Sequence, residues 1–117
     1  MNAAAPMSPA DVAQGQLEAY NAQDLDAFCT FYADDAVLGS LNGEVHTVGL
    51  QAIRERHQKL FADFPQNKVE LLNRIVVGGN VVDHEQVIRA PGGESFQVAA
   101  IYTIAGGKIA RVDFVRA

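Results

Sequence analysis

Between Asn21 and Ser40 the chain reads NAQDLDAFCTFYADDAVLGS, and within that span its hydrophobic period changes from that of a helix to that of a strand. Asp24 has the side chain of a helix N-cap, and Leu25, Phe28, Cys29 and Tyr32 recur at the spacing of one helical face. Ala33, Asp34 and Asp35 break that period with turn-favouring side chains, and Ala36 to Ser40 is a short apolar run suited to a strand. Asn42-Gly43 follows, the dipeptide that most readily takes the positive φ angles of a two-residue hairpin turn, so the strand is expected to fold back through Glu44 to Val48.

The remaining elements fall on either side. Residues 1–7 are Ala-rich and read as a flexible tail, with residues 8–117 as a single domain. Ser8, Pro9 and Asp11 supply an N-cap, a first-turn proline and an acid at N3, and Val12, Ala13, Leu17 and Tyr20 form an apolar stripe with Gln16 set inside it. A third helix carries Leu50, Ile53, His57, Leu60, Phe61 and Phe64 on one face, opposite Arg54, Glu55, Gln58 and Lys59, and ends before Pro65. His57 therefore points inward. Val69–Val77, Val81–Arg89, Ser95–Ile104 and Lys108–Val115 are β-branched, apolar runs separated by Gly-rich turns. Helices first and strands after give an α+β domain, with three N-terminal helices packed on a strongly curved, mostly antiparallel sheet. Phe28, Ile53, Phe61, Val98 and Phe114 are expected inside.

With 117 residues the chain is long enough for one core and too short for two. Fourteen acidic residues against nine scattered basic ones give a formal charge of −5, which leaves no basic stripe for nucleic acid. No apolar run approaches the roughly 18 to 20 residues of a membrane span. Cys29 has no second cysteine to pair with, and the N-terminus lacks the basic and apolar regions of a signal peptide, so a reducing cytoplasm is expected. His46, His57 and His84 share no metal-ligand spacing, and no dinucleotide or phosphate loop occurs, so neither metal nor cofactor is expected.

A curved sheet covered by helices encloses a cone, the natural place for a small ligand. On the inward faces, His57 can exchange a proton near neutral pH or hydrogen-bond a ligand, Gln16 can both donate and accept, and Tyr102 brings a phenol to an aromatic wall with Phe96. In Asp83-His84-Glu85 the period of two separates the histidine from the acids. Either Asp83 and Glu85 face inward as a carboxylate pair with one raised pKa, or His84 does and the acids form a solvated row. Arg111 and Asp113 share a strand face and can pair, leaving Val112 and Phe114 to the interior.

The NAQDLD turn, FYADDAV, GLQAIRERH at the third helix and AGGKIARVDF in the last hairpin together resemble the SnoaL-like and ketosteroid-isomerase-like families of the nuclear-transport-factor-2 fold, from Val12 to Val115. Ketosteroid isomerases move a proton with an aspartate base and stabilise the dienolate with a tyrosine and a protonated aspartate. The resemblance puts the base position on Ser40, the tyrosine on Gln16 and the protonated aspartate on Ala100, so that catalytic set is missing. It puts His57 where the family has a supporting pocket tyrosine, and the last-strand acid of epoxide-opening and polyketide-cyclising relatives near Phe114. What it implies is a pocket walled by Phe28, Phe61, Phe96, Tyr102 and Phe114, with Gln16, Ser40 and His57 as polar groups.

Two functions follow as expectations. One is an acid-base enzyme of isomerase, hydratase, lyase or hydrolase type acting on a small apolar metabolite, with His57, and Asp83 if it faces inward, as proton carriers. The other is a non-catalytic module that binds a small hydrophobic molecule or only dimerises. A homodimer through the outer face of the sheet is expected from the resemblance and from the β-branched residues on both faces of Val69–Val77.

Overall fold

The structure, a computed structural model, describes residues 7–117. Apart from Met7, the tail expected over 1–7 lies outside the described residues. Helix α1 (Pro9–Ala22) begins where Ser8 Oγ accepts from the Asp11 amide at 3.1 Å and ends at Gln23, in the left-handed conformation at φ 56°. Helix α2 (Leu25–Thr30) is capped by the Asp24 carboxylate, which accepts from the Ala27 amide at 3.1 Å. The NAQDLD segment thus ends one helix and starts the next, and Asn21 ties the junction to strand β3 (Lys68–Val77) by exchanging two hydrogen bonds with the Val69 backbone, at 2.9 and 2.7 Å.

Strand β1 starts at Tyr32 and runs to Ser40, so Tyr32 belongs to the sheet and the expected acidic turn is strand. The reason is long-range. The Ile109 amide on β6 (Lys108–Arg116) donates to the Phe31 carbonyl at 2.8 Å and captures the chain as soon as α2 stops. From Tyr32↔Ile109 to Val37↔Arg111 the parallel pairing steps five residues on β1 against two on β6, so Ala33, Asp34 and Asp35 bulge outward with both acids exposed. The hairpin to β2 (Val45–Val48) also differs from expectation. Asn42 alone takes a positive φ (57°), and Ser40 pairs with Glu44 across a three-residue loop. Gly39 is required beside it, since a Cβ there would lie 2.8 Å from the Glu44 carbonyl oxygen.

Helix α3 (Leu50–Asp63) buries Ile53, His57 and Phe61, whereas Phe64, expected on the same face, caps the helix and is 38% exposed beneath Arg89. Strands β4 (Asn80–Ile88) and β5 (Ser95–Ala105) complete a six-stranded open sheet in the order β2-β1-β6-β5-β4-β3, antiparallel except for β1 with β6. The three helices pack against one face of this curved sheet. Phe28 and Ile53 are fully buried, and Phe61 and Val98 nearly so. Phe114 is only partly buried, because its ring borders a cavity.

Candidate functional site

The register of the inner face fixes what meets what. Val81, Tyr102, Val112 and Leu38 form one rung; Asp83, Ala100, Phe114 and Ser40 the next; Glu85, Val98 and Arg116 the third; Val87 and Phe96 the last. From these rungs Leu38, Ser40, Glu85, Val87, Phe96, Val98, Tyr102, Phe114 and Arg116, together with Gln16, Leu17, Tyr20 and His57 from the helices, line a cavity of about 280 Å³.

At its inner end three side chains from separate elements form a chain of hydrogen bonds. The Tyr32 hydroxyl donates to Gln16 Oε1 at 3.1 Å, and Gln16 Nε2 donates to the Tyr102 oxygen at 3.3 Å. That order leaves the Tyr102 proton as an unspent donor beside the cavity. Burial raises both phenol pKa values, Glu85 and Asp83 add to the rise at Tyr102, and Glu85 adds to it at Tyr32, so both stay protonated donors at neutral pH.

The orientation left open for Asp83-His84-Glu85 is settled by pairing with β5. Both acids face inward, and His84 is exposed, 2.7 Å from Gln97 Oε1 on the outer face. Their surroundings differ. Asp83 is fully buried and held by Arg74 through two hydrogen bonds of 2.7 and 2.9 Å, with Arg74 also donating to Gln14 Oε1 at 3.0 Å. Glu85 is 5% exposed and borders the cavity, and among the described residues no group hydrogen-bonds its carboxyl. Burial pushes that carboxyl up to about 8, with the charge of Asp83 adding and that of Arg74 opposing. A bulge in β3 lies directly across, where Leu71 pairs with Glu85 and Asn73 with His84, leaving Leu72 extra.

His57 faces the cavity from α3. Its Nδ1–H donates to the Ile53 carbonyl at 2.8 Å, which leaves Nε2 with a free lone pair, and the ring lies 4.4 Å from Phe28 between centroids. Burial lowers the imidazole to about 4; the Ile53 bond opposes this, and the Arg56 and Arg89 cations add to it. Around the mouth stand Arg56, Arg89, Arg116, His46 and Ser40, the last an exposed hydroxyl.

Of the residues singled out in the sequence, Gln16, Ser40, His57, Tyr102 and Phe114 meet around this cavity. Phe28 and Phe61 lie behind His57 in the core, and Asp83 stands beside the cavity without lining it. Tyr32 carries no site signal in the sequence, because its spacing fits a helical face. Glu85 was legible only as one of two alternatives, since both parities of β4 carry branched apolar residues: Val81 and Val87 on one, Val82 and Ile88 on the other.

A SnoaL-like domain model matches residues 13–112. The chain belongs to the SnoaL-like family. No curated protein matches the sequence. Among solved structures, an uncharacterized cystatin fold protein from Novosphingobium aromaticivorans is 36% identical, with a TM-score of 0.88 over 94% of this chain and 99% of its own. A proposed polyketide cyclase from Sinorhizobium meliloti is 26% identical, with a TM-score of 0.77 over 90% and 94%. A hypothetical protein from Catenulispora acidiphila with a ketosteroid isomerase-like fold, in complex with trimethylamine, is 16% identical, with a TM-score of 0.76 over 93% and 86%. In this SnoaL-like domain Ala100, Phe114 and Ser40, the positions where the resemblance places acids, occupy one rung, and the buried carboxyls stand one strand away on β4.

Proposed function

We propose that this SnoaL-like domain binds a small, largely apolar molecule in the cavity and moves a proton on it, as in an isomerisation. Glu85 carries the proton, Tyr102 donates to the oxygen that gains charge, and His57 Nε2 orients the ligand. The observation that carries the reading is the Glu85 carboxyl, nearly buried, without a hydrogen-bond partner among the described residues, and bordering a cavity with its pKa near neutrality. A carboxylate that titrates at about 8 is a far stronger base than an exposed one, yet roughly a tenth of it is ionised at pH 7. It can take a proton from carbon next to a ligand carbonyl, while the Tyr102 hydroxyl stabilises the resulting enolate oxygen, and then return the proton to another carbon. Asp83, paired with Arg74, adds its charge to the burial that raises the Glu85 pKa.

The test is deuterium incorporation next to the carbonyl of apolar cyclic enones in deuterium oxide, followed by proton NMR. The protein is expected to accelerate exchange, more so as the pH approaches 8, and Glu85→Gln to reduce the rate by about 10² to 10⁴. Binding without any exchange across the panel would leave the domain a ligand-holding module, the second function read from its sequence.

A homodimer is part of the same proposal. Strand β3 is a sheet edge, and Ile75, Val76 and Val77 are 53, 46 and 69% exposed along it. Light scattering at micromolar concentration is expected to give twice 12.6 kDa, and a monomer mass overturns this. Among the described residues no helix is long and apolar enough to cross a membrane.

A further inference from the structure

We propose that the ligand is a small apolar acid whose carboxylate is held at the cavity mouth by Arg56, Arg89 and Arg116 while its reactive end reaches Glu85. This rests on the ligand-pocket reading above and adds the substrate class. The chain carries a formal charge of −5, yet its cavity opens through three guanidinium groups and His46. Among the described residues no carboxylate lies within ion-pair distance of Arg56 or Arg89, and Arg116 reaches Glu94 at 3.3 Å in an exposed pair. An exposed pair of that kind contributes little, so the field of all three cations remains directed at the opening.

The arginines are also positioned for an anion. Arg89 donates from Nη1 to the Tyr20 hydroxyl at 3.3 Å and to Asn67 Oδ1 at 3.4 Å, and stacks 5.2 Å from the Phe96 ring centroid. Arg116 stacks 3.8 Å from the same ring. The Arg89 plane is therefore fixed by neutral partners and that of Arg116 by Phe96 and the exposed Glu94, and Arg89 keeps its Nε and Nη2 donors, the fork that grips a carboxylate. Beyond the effect of burial, the Arg56 and Arg89 cations depress the His57 imidazole and so act on that end of the cavity, whereas Arg74 is the cation that acts on Glu85. The cavity is thus polarised, with the Glu85 carboxyl inside and guanidinium groups at the rim. A cavity of about 280 Å³ is the liquid volume of roughly nine waters, which suits a body of about that many heavy atoms. A neutral apolar ligand would leave the guanidinium rim unused. A cationic one would meet three like charges on entry.

The experiment compares cyclohexanecarboxylate with cyclohexanecarboxamide, equal in size and different in charge, by calorimetric titration at pH 7. The acid is expected to bind at least about ten-fold more tightly at low salt, with the gap closing as salt rises. Arg56→Gln alters an exposed side chain with no carboxylate partner among the described residues, so the fold should persist while the gap shrinks several-fold; Arg116→Gln serves as the second variant. Acid binding should also raise the His57 pKa, read from imidazole proton shifts, because the bound anion offsets the two cations. Equal affinity for acid and amide, or no binding of either, overturns the proposal. Acid preference with no deuterium exchange supports it while removing the catalytic reading, so the two fail separately.

Discussion

Glu85→Gln is expected to stabilise the domain at pH 8 by on the order of 4 kcal/mol and to change its stability little at pH 4.5. The Glu85 carboxyl moves from 4.5 to about 8 on folding, so between those values the folded chain holds a proton that the unfolded chain releases. Each pH unit in that window costs about 1.4 kcal/mol, and the contribution is complete below about 4.5 and lost as the pH rises through about 8. His57 has the opposite sign. Its pKa falls from 6.5 to about 4, so its neutral form contributes fully above about 6.5, and that contribution is lost as the pH falls through about 4. The two slopes cancel between about 4.5 and 6.5, leaving a plateau with a limb on each side. Urea denaturation from pH 4 to 9 reads this directly. Glutamine, which has the shape of the protonated acid and cannot ionise, removes the alkaline limb and leaves the acid one. An unchanged alkaline limb in the variant would show that Glu85 is not the buried carboxyl responsible.

Arg74→Met is expected to cost about 3 to 5 kcal/mol at neutral pH, because it strands the wholly buried Asp83 carboxylate without its two hydrogen bonds. The effect should also reach Glu85. Arg74 opposes the rise of the Glu85 pKa, so its loss moves the alkaline limb to still higher pH. In the double variant Arg74→Met, Asp83→Leu neither charge remains, and most of the lost stability should return. Denaturation midpoints of wild type, both single variants and the double variant measure this coupling. A single-variant cost under about 1 kcal/mol would mean that Asp83 does not depend on Arg74.

Much of this architecture is local and therefore readable from the chain. Ser8 and Asp24 satisfy amides three residues ahead and start their helices wherever the rest of the molecule lies. Gln16 and His57 fall on stripes of apolar residues at helical spacing, and a helix has one buried face, so their inward direction follows from periodicity alone. Tyr102 alternates with Val98, Ala100 and Ile104, and all four are buried.

What the sequence determined by itself is thus the α+β order of elements, the inward direction of Gln16, His57 and Tyr102, and the absence of the ketosteroid isomerase acids at Ser40 and Ala100. Tertiary structure decided the rest. Tyr32 is strand because β6 binds the Phe31 carbonyl, a bond between residues far apart in the chain. Glu85 faces the cavity because Val87, Glu85 and Asp83 pair with Phe96, Val98 and Ala100, and a one-residue slip would have turned His84 inward instead. The mouth gathers Arg56 from α3, Arg89 from the turn just after β4 and Arg116 from β6, and no spacing along the chain links three such positions. Periodicity reports which way a side chain points from its own element, whereas the chemistry of a cavity depends on which elements share it, and that is set by strand register and helix packing.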